Sequence, residues 1–427
     1  MSIAINRRTA LVGGAIIAGG AIALNRSSDK SAARDPYFLK IQRALVDAKI
    51  AQPTLVVDRT RLDSNIDQLM RDLPEGMGYR IVAKSLPSLD LLEHIRARSG
   101  TDRLMTFNLP MLMELSQSMP QVNQLIGKPL PAQAVRNYFT ELSPENAEAA
   151  TNVQWLVDTP ERLNQYAAIA DANGVDMAIN IELDVGLHRG GMEPGDAMTA
   201  MLAQLRASNR LHFSGFMGYE PHIAAIPSAL GWQDRVRNGA WDIYRAALQS
   251  AESQFDPTTI ATMTRNAAGS PTYRLYKNTE IANEISVGSA LVKPTDFDSK
   301  LLSAFVPAAF IATPVIKTSD TTQIPGLEFA DGAKRMLNDN LEKTVFIYGG
   351  HWLAHPEDPP GLSYNSTFGR SSNQEMLNGG DNIDLAPDDF VFLRPTQSEA
   401  VFLQFGDIAV YDDGAIVDRW PVFAASA

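Results

Sequence analysis

Between residues 54 and 295, short and almost wholly apolar runs alternate with amphipathic stretches of helical period. No other feature limits the available folds so strongly. "TLVVD" (54–58) precedes the helical pattern "RTRLDSNIDQLMRDL", and "RIVAK" (80–84) leads into "PSLDLLEHIRARSG". "RLMTFN" (103–108) and "VQWLVD" (153–158) each precede a further helical stretch. "MAINIELDV" (177–185), "HFSGFMGY" (212–219), "IATMTRN" (260–266) and "EISVGSALV" (284–292) bring the strand-like runs to eight. Strands apolar on both faces belong to parallel sheets covered by helices. Eight of them followed by helices predict an α/β fold, a (β/α)8 TIM-like barrel. A doubly wound sheet is the competitor, but no glycine-rich fingerprint follows the first strand. Helix punctuation agrees: in "DTPERLNQYAAIADANG", Thr159 is an N-cap, Pro160 the first helical residue and Gly174 the C-cap.

From about residue 300 the texture changes to strand-like runs with turn signals, as in "TVFIYGG", "FVFLRP" and "AVFLQFGDIAVYDDGAIVDRWPVF". The expected organisation is a barrel over 54–295 and a mostly β domain made of 36–53 together with 296–427. Residues 1–35 stand apart. Arg7 and Arg8 precede a Gly/Ala-rich apolar run from Ala10 to Leu24, and the polar stretch "NRSSDKSAARDP" follows as a linker. Paired arginines before a weakly apolar run match a twin-arginine export signal. The run is shorter than the roughly 20 residues that span a bilayer. The expectation is therefore export to the periplasm, with membrane attachment only through an uncleaved leader; a cytoplasmic chain is the alternative. A net charge of −12 argues against nucleic-acid binding. The absence of cysteine excludes disulfides, thiolate metal sites and cysteine nucleophiles.

In a barrel, functional groups come from the C-terminal ends of the strands. Lys84 ends one such run. A lysine there either snorkels to the surface or serves as an amine that forms a Schiff base with a carbonyl cofactor. Arg189 lies just past another strand, in the glycine-flanked turn of "LDVGLHRGGM", where a guanidinium is either solvated or holds an anionic oxygen. Tyr219 follows a third strand and either caps the barrel or faces the site. "RNAAGSPTY" offers Gly269, Ser270 and Thr272, and "SVGSAL" offers Gly288 and Ser289. Small-residue loops of this kind are common, and they can also present N–H groups and hydroxyls to a phosphate.

Taken in order, "PTLVVD", "AKS", "ELDVGLHRGG", "GYEPH", "AAGSPTY" and "DDGAIVDRWPV" resemble the fold-type III pyridoxal-phosphate enzymes, whose barrel is alanine-racemase-like. The branch they look most like holds D-threonine aldolase and D-serine dehydratase, and the resemblance covers most of residues 53 to 423. It implies pyridoxal 5′-phosphate as cofactor and a small D-configured β-hydroxy amino acid as substrate, cleaved by aldol chemistry or dehydrated. It implies that Lys84 is the Schiff-base lysine and base at Cα, and that Arg189 bonds the cofactor's phenolic oxygen. It places Tyr219 against the cofactor and Gly269, Ser270, Thr272, Gly288 and Ser289 around its phosphate. A homodimer is expected by the same analogy.

The branch also binds a divalent metal through a histidine and, two residues on, a cysteine or aspartate. Here "RPTQSEAV" puts Gln397 and Glu399 at those places. A glutamine and one carboxylate make a weak site, suited at best to a harder cation. Without a metal, Glu399 can accept the β-hydroxyl proton as a general base. An amino-acid racemase is the rival enzymatic reading, although no clear tyrosine supplies its second base. A non-catalytic cofactor- or ligand-binding protein is the rival of a different class.

Overall fold

The structure, a computed structural model, describes residues 27–227, 229–323, 326 and 338–424. The twin-arginine leader expected within residues 1–26 lies outside the described residues. No described helix is long and apolar enough to cross a membrane. The chain forms two compact units.

The first unit takes the described residues up to Asp58, Ala309–Thr396 and Ala409–Asp418. Its centre is an antiparallel sheet in which β1 (Thr54–Asp58) pairs with β10 (Ala309–Ser319), in register Thr54↔Ala312 to Val57↔Ala309. The helix Pro36–Asp47 covers this sheet. Asp35 caps it by accepting the Tyr37 N–H, and Pro36 starts it where a missing N–H does no harm. Its buried stripe of Phe38, Ile41, Ala44 and Leu45 packs with Val56, Phe310 and Phe392 into one apolar cluster.

The second unit takes Arg59–Ala308, Gln397–Ile408 and the chain from Arg419 onward. In it the parallel strands β2 (Gly78–Val82), β3 (Arg103–Thr106), β4 (Asn123–Ile126), β5 (Val153–Val157), β6 (Met177–Leu183), β7 (Leu211–Gly218), β8 (Thr264–Ala267) and β9 (Glu284–Val287) close into a barrel. The (β/α)8 expectation holds, with two corrections to its membership. "TLVVD" is not a barrel strand: its five residues are all buried within the antiparallel sheet, and full burial reads the same from sequence in either setting. The missing strand is "NQLI", β4, whose four residues lie between prolines and are half polar. A third correction concerns "IATMTRN": Pro257–Thr262 is helical because Asp256 caps the N–H groups of Thr258 and Thr259, and β8 starts only at Thr264.

One charged cluster ties strands of this barrel together. Arg80, 1% exposed, donates to Glu284 at 2.6 and 3.0 Å, to the Leu104 carbonyl at 2.9 Å and to Asn123 Oδ1 at 2.8 Å. Arg103 and Asn266 also donate to Glu284, at 2.9 and 2.7 Å. Burial by itself would raise the Glu284 carboxyl, but Arg80 foremost, then Arg103 and Asn266, hold it below its ordinary value. E284Q leaves the Arg80 guanidinium buried without its countercharge. It is expected to lower unfolding free energy by about 3 kcal/mol in urea titrations; a loss below about 1 kcal/mol would show that the charge is dispensable. Because the folded-state pKa is depressed, this stabilisation is present above the unfolded value and lost as pH falls below about 4.5. The wild-type chain should therefore lose more stability in acid than E284Q does.

Candidate active site

Each expected site residue can be placed from its strand. After β2 the chain tightens into a 3₁₀ turn, Ala83–Ser85, which carries Lys84 just beyond the strand. The lysine side chain is 45% exposed, so it is not sunk in an apolar wall; it lines a cavity at the C-terminal end of the barrel strands. Its Nζ stands 4.7 Å from the centre of the Phe107 ring and 3.8 Å from Glu399 Oε1. That carboxylate oxygen also accepts the Ser85 hydroxyl at 2.7 Å, and Ser85 Oγ in turn accepts the Ser289 hydroxyl at 3.0 Å. Glu399 was expected in the β domain, yet Gln397–Ile408 belongs to the barrel unit.

Arg189 follows β6 in a turn built around Asp184. The Asp184 carboxylate accepts the N–H groups of Gly186 and His188, each at 3.0 Å, and pairs with the His188 ring at 2.9 Å. Gly191 closes the turn at φ 98, where a Cβ would run into the Asp184 backbone. The Arg189 guanidinium lies 5.2 Å from the centre of the Tyr219 ring, which follows β7. Burial raises the Tyr219 hydroxyl despite Arg189. Glu182, within β6, is raised to about 7, mainly by burial and then by Asp158.

The loop after β8 brings Gly269 and Ser270 to the same cavity, and the end of β9 brings Gly288 and Ser289. A Cβ on Gly269 would press into the Tyr219 ring, so that glycine is required by packing. Among the described residues, no acceptor lies opposite the N–H groups of Ser270 and Ser289, which leaves two donors at one end of the cavity. Thr272 is placed differently. It is fully buried, and its hydroxyl is engaged within the loop, where it donates to Glu220. Gln397 is exposed, and its amide donates to Asp296 at 2.8 Å. Among the described residues, no three His, Cys, Asp or Glu side chains stand together as a metal site.

The cavity is a narrow slot of about 120 Å³, whose flank is apolar (Val82, Met105, Phe107, Met217). It adjoins a wider vestibule of about 480 Å³ that shares Lys84, Phe107, Arg189 and Glu399 and adds Asp158, Glu182 and Lys128. An amine, an apolar slot and free N–H donors fit a flat aromatic aldehyde with an anionic arm. Phe107, Ser85 and Glu220 went unassigned in the sequence. Ser85 sits beside the lysine and Glu220 beside Tyr219, but only the fold aims them.

Comparison with known proteins agrees with this geometry. Residues 57–296 match the model of the alanine racemase N-terminal domain family. The chain belongs to that family. An alanine racemase N-terminal domain is a pyridoxal-phosphate fold of type III, so the family implies that cofactor. Within related sequences, the 3-hydroxy-D-aspartate aldolase of Paracoccus denitrificans (strain Pd 1222) is 22% identical over 278 residues, covering 64% of this chain and 68% of the aldolase. The structure of D-threonine aldolase from Filomicrobium marinum superposes with a TM-score of 0.72 at 16% identity, over 88% of this chain and 95% of that one. D-threo-3-hydroxyaspartate dehydratase from Delftia sp. HT23 gives 0.66 at 14% identity, over 88% and 98%. Alanine racemase of Clostridium difficile 630 gives 0.64 at 13%, over 87% and 98%. The three superposed structures thus share the fold of this chain over most of their lengths.

Proposed function

We propose that the protein is a pyridoxal-phosphate-dependent lyase acting on a D-configured β-hydroxy amino acid, by aldol cleavage or by dehydration. The observation that carries this reading is the Glu399 carboxylate held 3.8 Å from the Lys84 amine at the barrel mouth. The aldolase and dehydratase names among the relatives support it.

Lys84 would hold the cofactor's aldehyde carbon, Arg189 its phenolic oxygen, and the amides of Ser270 and Ser289 its phosphate. Bound there, pyridoxal phosphate supplies a conjugated electron sink that weakens the bonds at the substrate's Cα. The protein's own part is to place the groups that move protons. In aldol cleavage Glu399 Oε1, which accepts the Ser85 hydroxyl, would take the β-hydroxyl proton and the Lys84 amine would return one to Cα. In dehydration the Lys84 amine would take the Cα proton and the Glu399 carboxyl would give one to the departing hydroxyl. The residues at the family's metal position are engaged otherwise: Gln397 donates to Asp296, and Glu399 pairs with Lys84 and accepts the Ser85 hydroxyl. On this reading the proton exchanged at the β-hydroxyl is assigned to Glu399.

Purified protein supplied with pyridoxal phosphate should turn over D-threonine, D-serine or D-threo-3-hydroxyaspartate and leave the L-enantiomers untouched. Glycine plus an aldehyde identifies aldol cleavage, whereas a 2-oxo acid plus ammonia identifies dehydration. Interconversion of enantiomers without either product would replace this reading with a racemase.

A further inference from the structure

Directly behind the loop Ala268–Thr272 lies Glu220, a carboxyl group 1% exposed that has no part in the chemistry above. All of its hydrogen-bond partners are neutral. The Thr272 hydroxyl donates to Oε1 at 2.8 Å, the Ala268 N–H donates to Oε2 at 3.3 Å, and the Tyr276 hydroxyl is a third partner. Thr272 Oγ1 in turn accepts the Gly269 N–H at 3.2 Å. One carboxyl group thus engages two successive amides of the loop, Ala268 directly and Gly269 through Thr272.

This bracing matters because the loop is strained. Ala268 has φ 65, a left-handed conformation that is unfavourable for a residue with a Cβ. The next amide along, that of Ser270, is the one left without an acceptor, and Ser270 lines the cavity. We propose that Glu220 is a positioning residue that holds this loop in the shape that offers its one remaining amide, the Ser270 N–H, to an anionic ligand group. The inference rests on the reading of the cavity as a cofactor site and adds to it a residue that touches no ligand.

The surroundings of Glu220 make the arrangement sensitive to pH. The titratable groups packed around it are Tyr219, Tyr244 and Tyr276, all three raised by burial. Burial pushes the Glu220 carboxyl up to about 7, against the hydrogen bonds from Thr272 and Ala268. Below that pH it is a neutral brace. Above it, a negative charge stands directly behind the loop and would disfavour an anionic group bound in front of it.

The test compares pyridoxal phosphate with pyridoxal, which lacks the phosphate, in binding titrations on the full chain stripped of cofactor. The ratio of the two affinities isolates the phosphate contact from general damage. E220A should lower that ratio about tenfold, with pyridoxal affinity unchanged. E220Q, neutral and of the same shape, should stay within about threefold of wild type at about pH 6. As pH rises from about 6 to about 8, the wild-type ratio should fall relative to that of E220Q. A wild-type ratio in E220A overturns the inference, and so does an E220Q pH profile that superimposes on wild type. The E220Q profile decides alone if E220A does not fold. A wild-type chain that binds neither ligand overturns the cofactor reading and this inference with it.

Discussion

Replacing Lys84 by alanine removes turnover by on the order of 10⁴-fold or more and abolishes the visible absorbance of bound pyridoxal phosphate. The size of the effect follows from position. Among the described residues no other lysine lines the narrow slot, so none of them can take over the carbonyl carbon of the cofactor. The fold should not suffer. The Lys84 side chain is 45% exposed, and its contacts are an ion pair at 3.8 Å and a ring face at 4.7 Å. An exposed pair of that kind contributes about 0–1 kcal/mol, so the thermal midpoint of K84A should stay close to that of wild type. Loss of activity with an intact midpoint separates a chemical role from a structural one. Full turnover and an unchanged spectrum in K84A would remove the basis of the proposed function.

The second large effect is expected at Glu399. E399Q keeps the shape of the side chain and an oxygen to accept the Ser85 hydroxyl, but it removes the group proposed to exchange a proton with the substrate's β-hydroxyl. General-base contributions of this type amount to about 10²–10⁴-fold; the expected loss in kcat is about 10³-fold, with cofactor absorbance retained. The same assignment predicts that exhaustive chelation leaves wild-type turnover unchanged. Turnover that chelation abolishes and magnesium or zinc restores would overturn the assignment and return Gln397 and Glu399 to a metal-binding role. Glu399 stands beside Lys84 because Gln397–Ile408 belongs to the barrel unit, although some 300 residues of chain separate the two positions.

The legible part of the fold was local. Thr159, Pro160 and Gly174 are the helix cap, first helical residue and C-cap that the sequence predicts, since each acts through the chain next to it. Ser88 and Gly100 bracket the helix after Lys84 by the same chemistry. Strand membership was harder. "TLVVD" and a barrel strand bury the same pattern of side chains, so the apolar run could not say which sheet receives it. "NQLI" is four residues long, too short for a period to register.

The site divides in the same way. Lys84, Arg189, Gly269, Ser270, Gly288 and Ser289 could be named from their places after strands, and all of them line one cavity. Thr272 has the same kind of place, but its hydroxyl is turned to Glu220 behind the loop. Gln397 has the spacing of a metal ligand and is turned to Asp296. The direction of a side chain depends on partners distant in sequence, and spacing along a strand or loop carries no information about them.

The sequence by itself determined the alternation of elements, the cap residues and the types of group available at the strand ends, because these follow from backbone propensity and near-neighbour chemistry. The tertiary structure decided which strands closed the barrel, which hydroxyls faced the cavity and which carboxyl braced the loop behind it. Those outcomes rest on contacts between distant segments: Glu220 comes to Thr272 when the barrel sets the ends of β7 and β8 side by side, and Glu399 comes to Lys84 when the segment Gln397–Ile408 packs into the barrel unit.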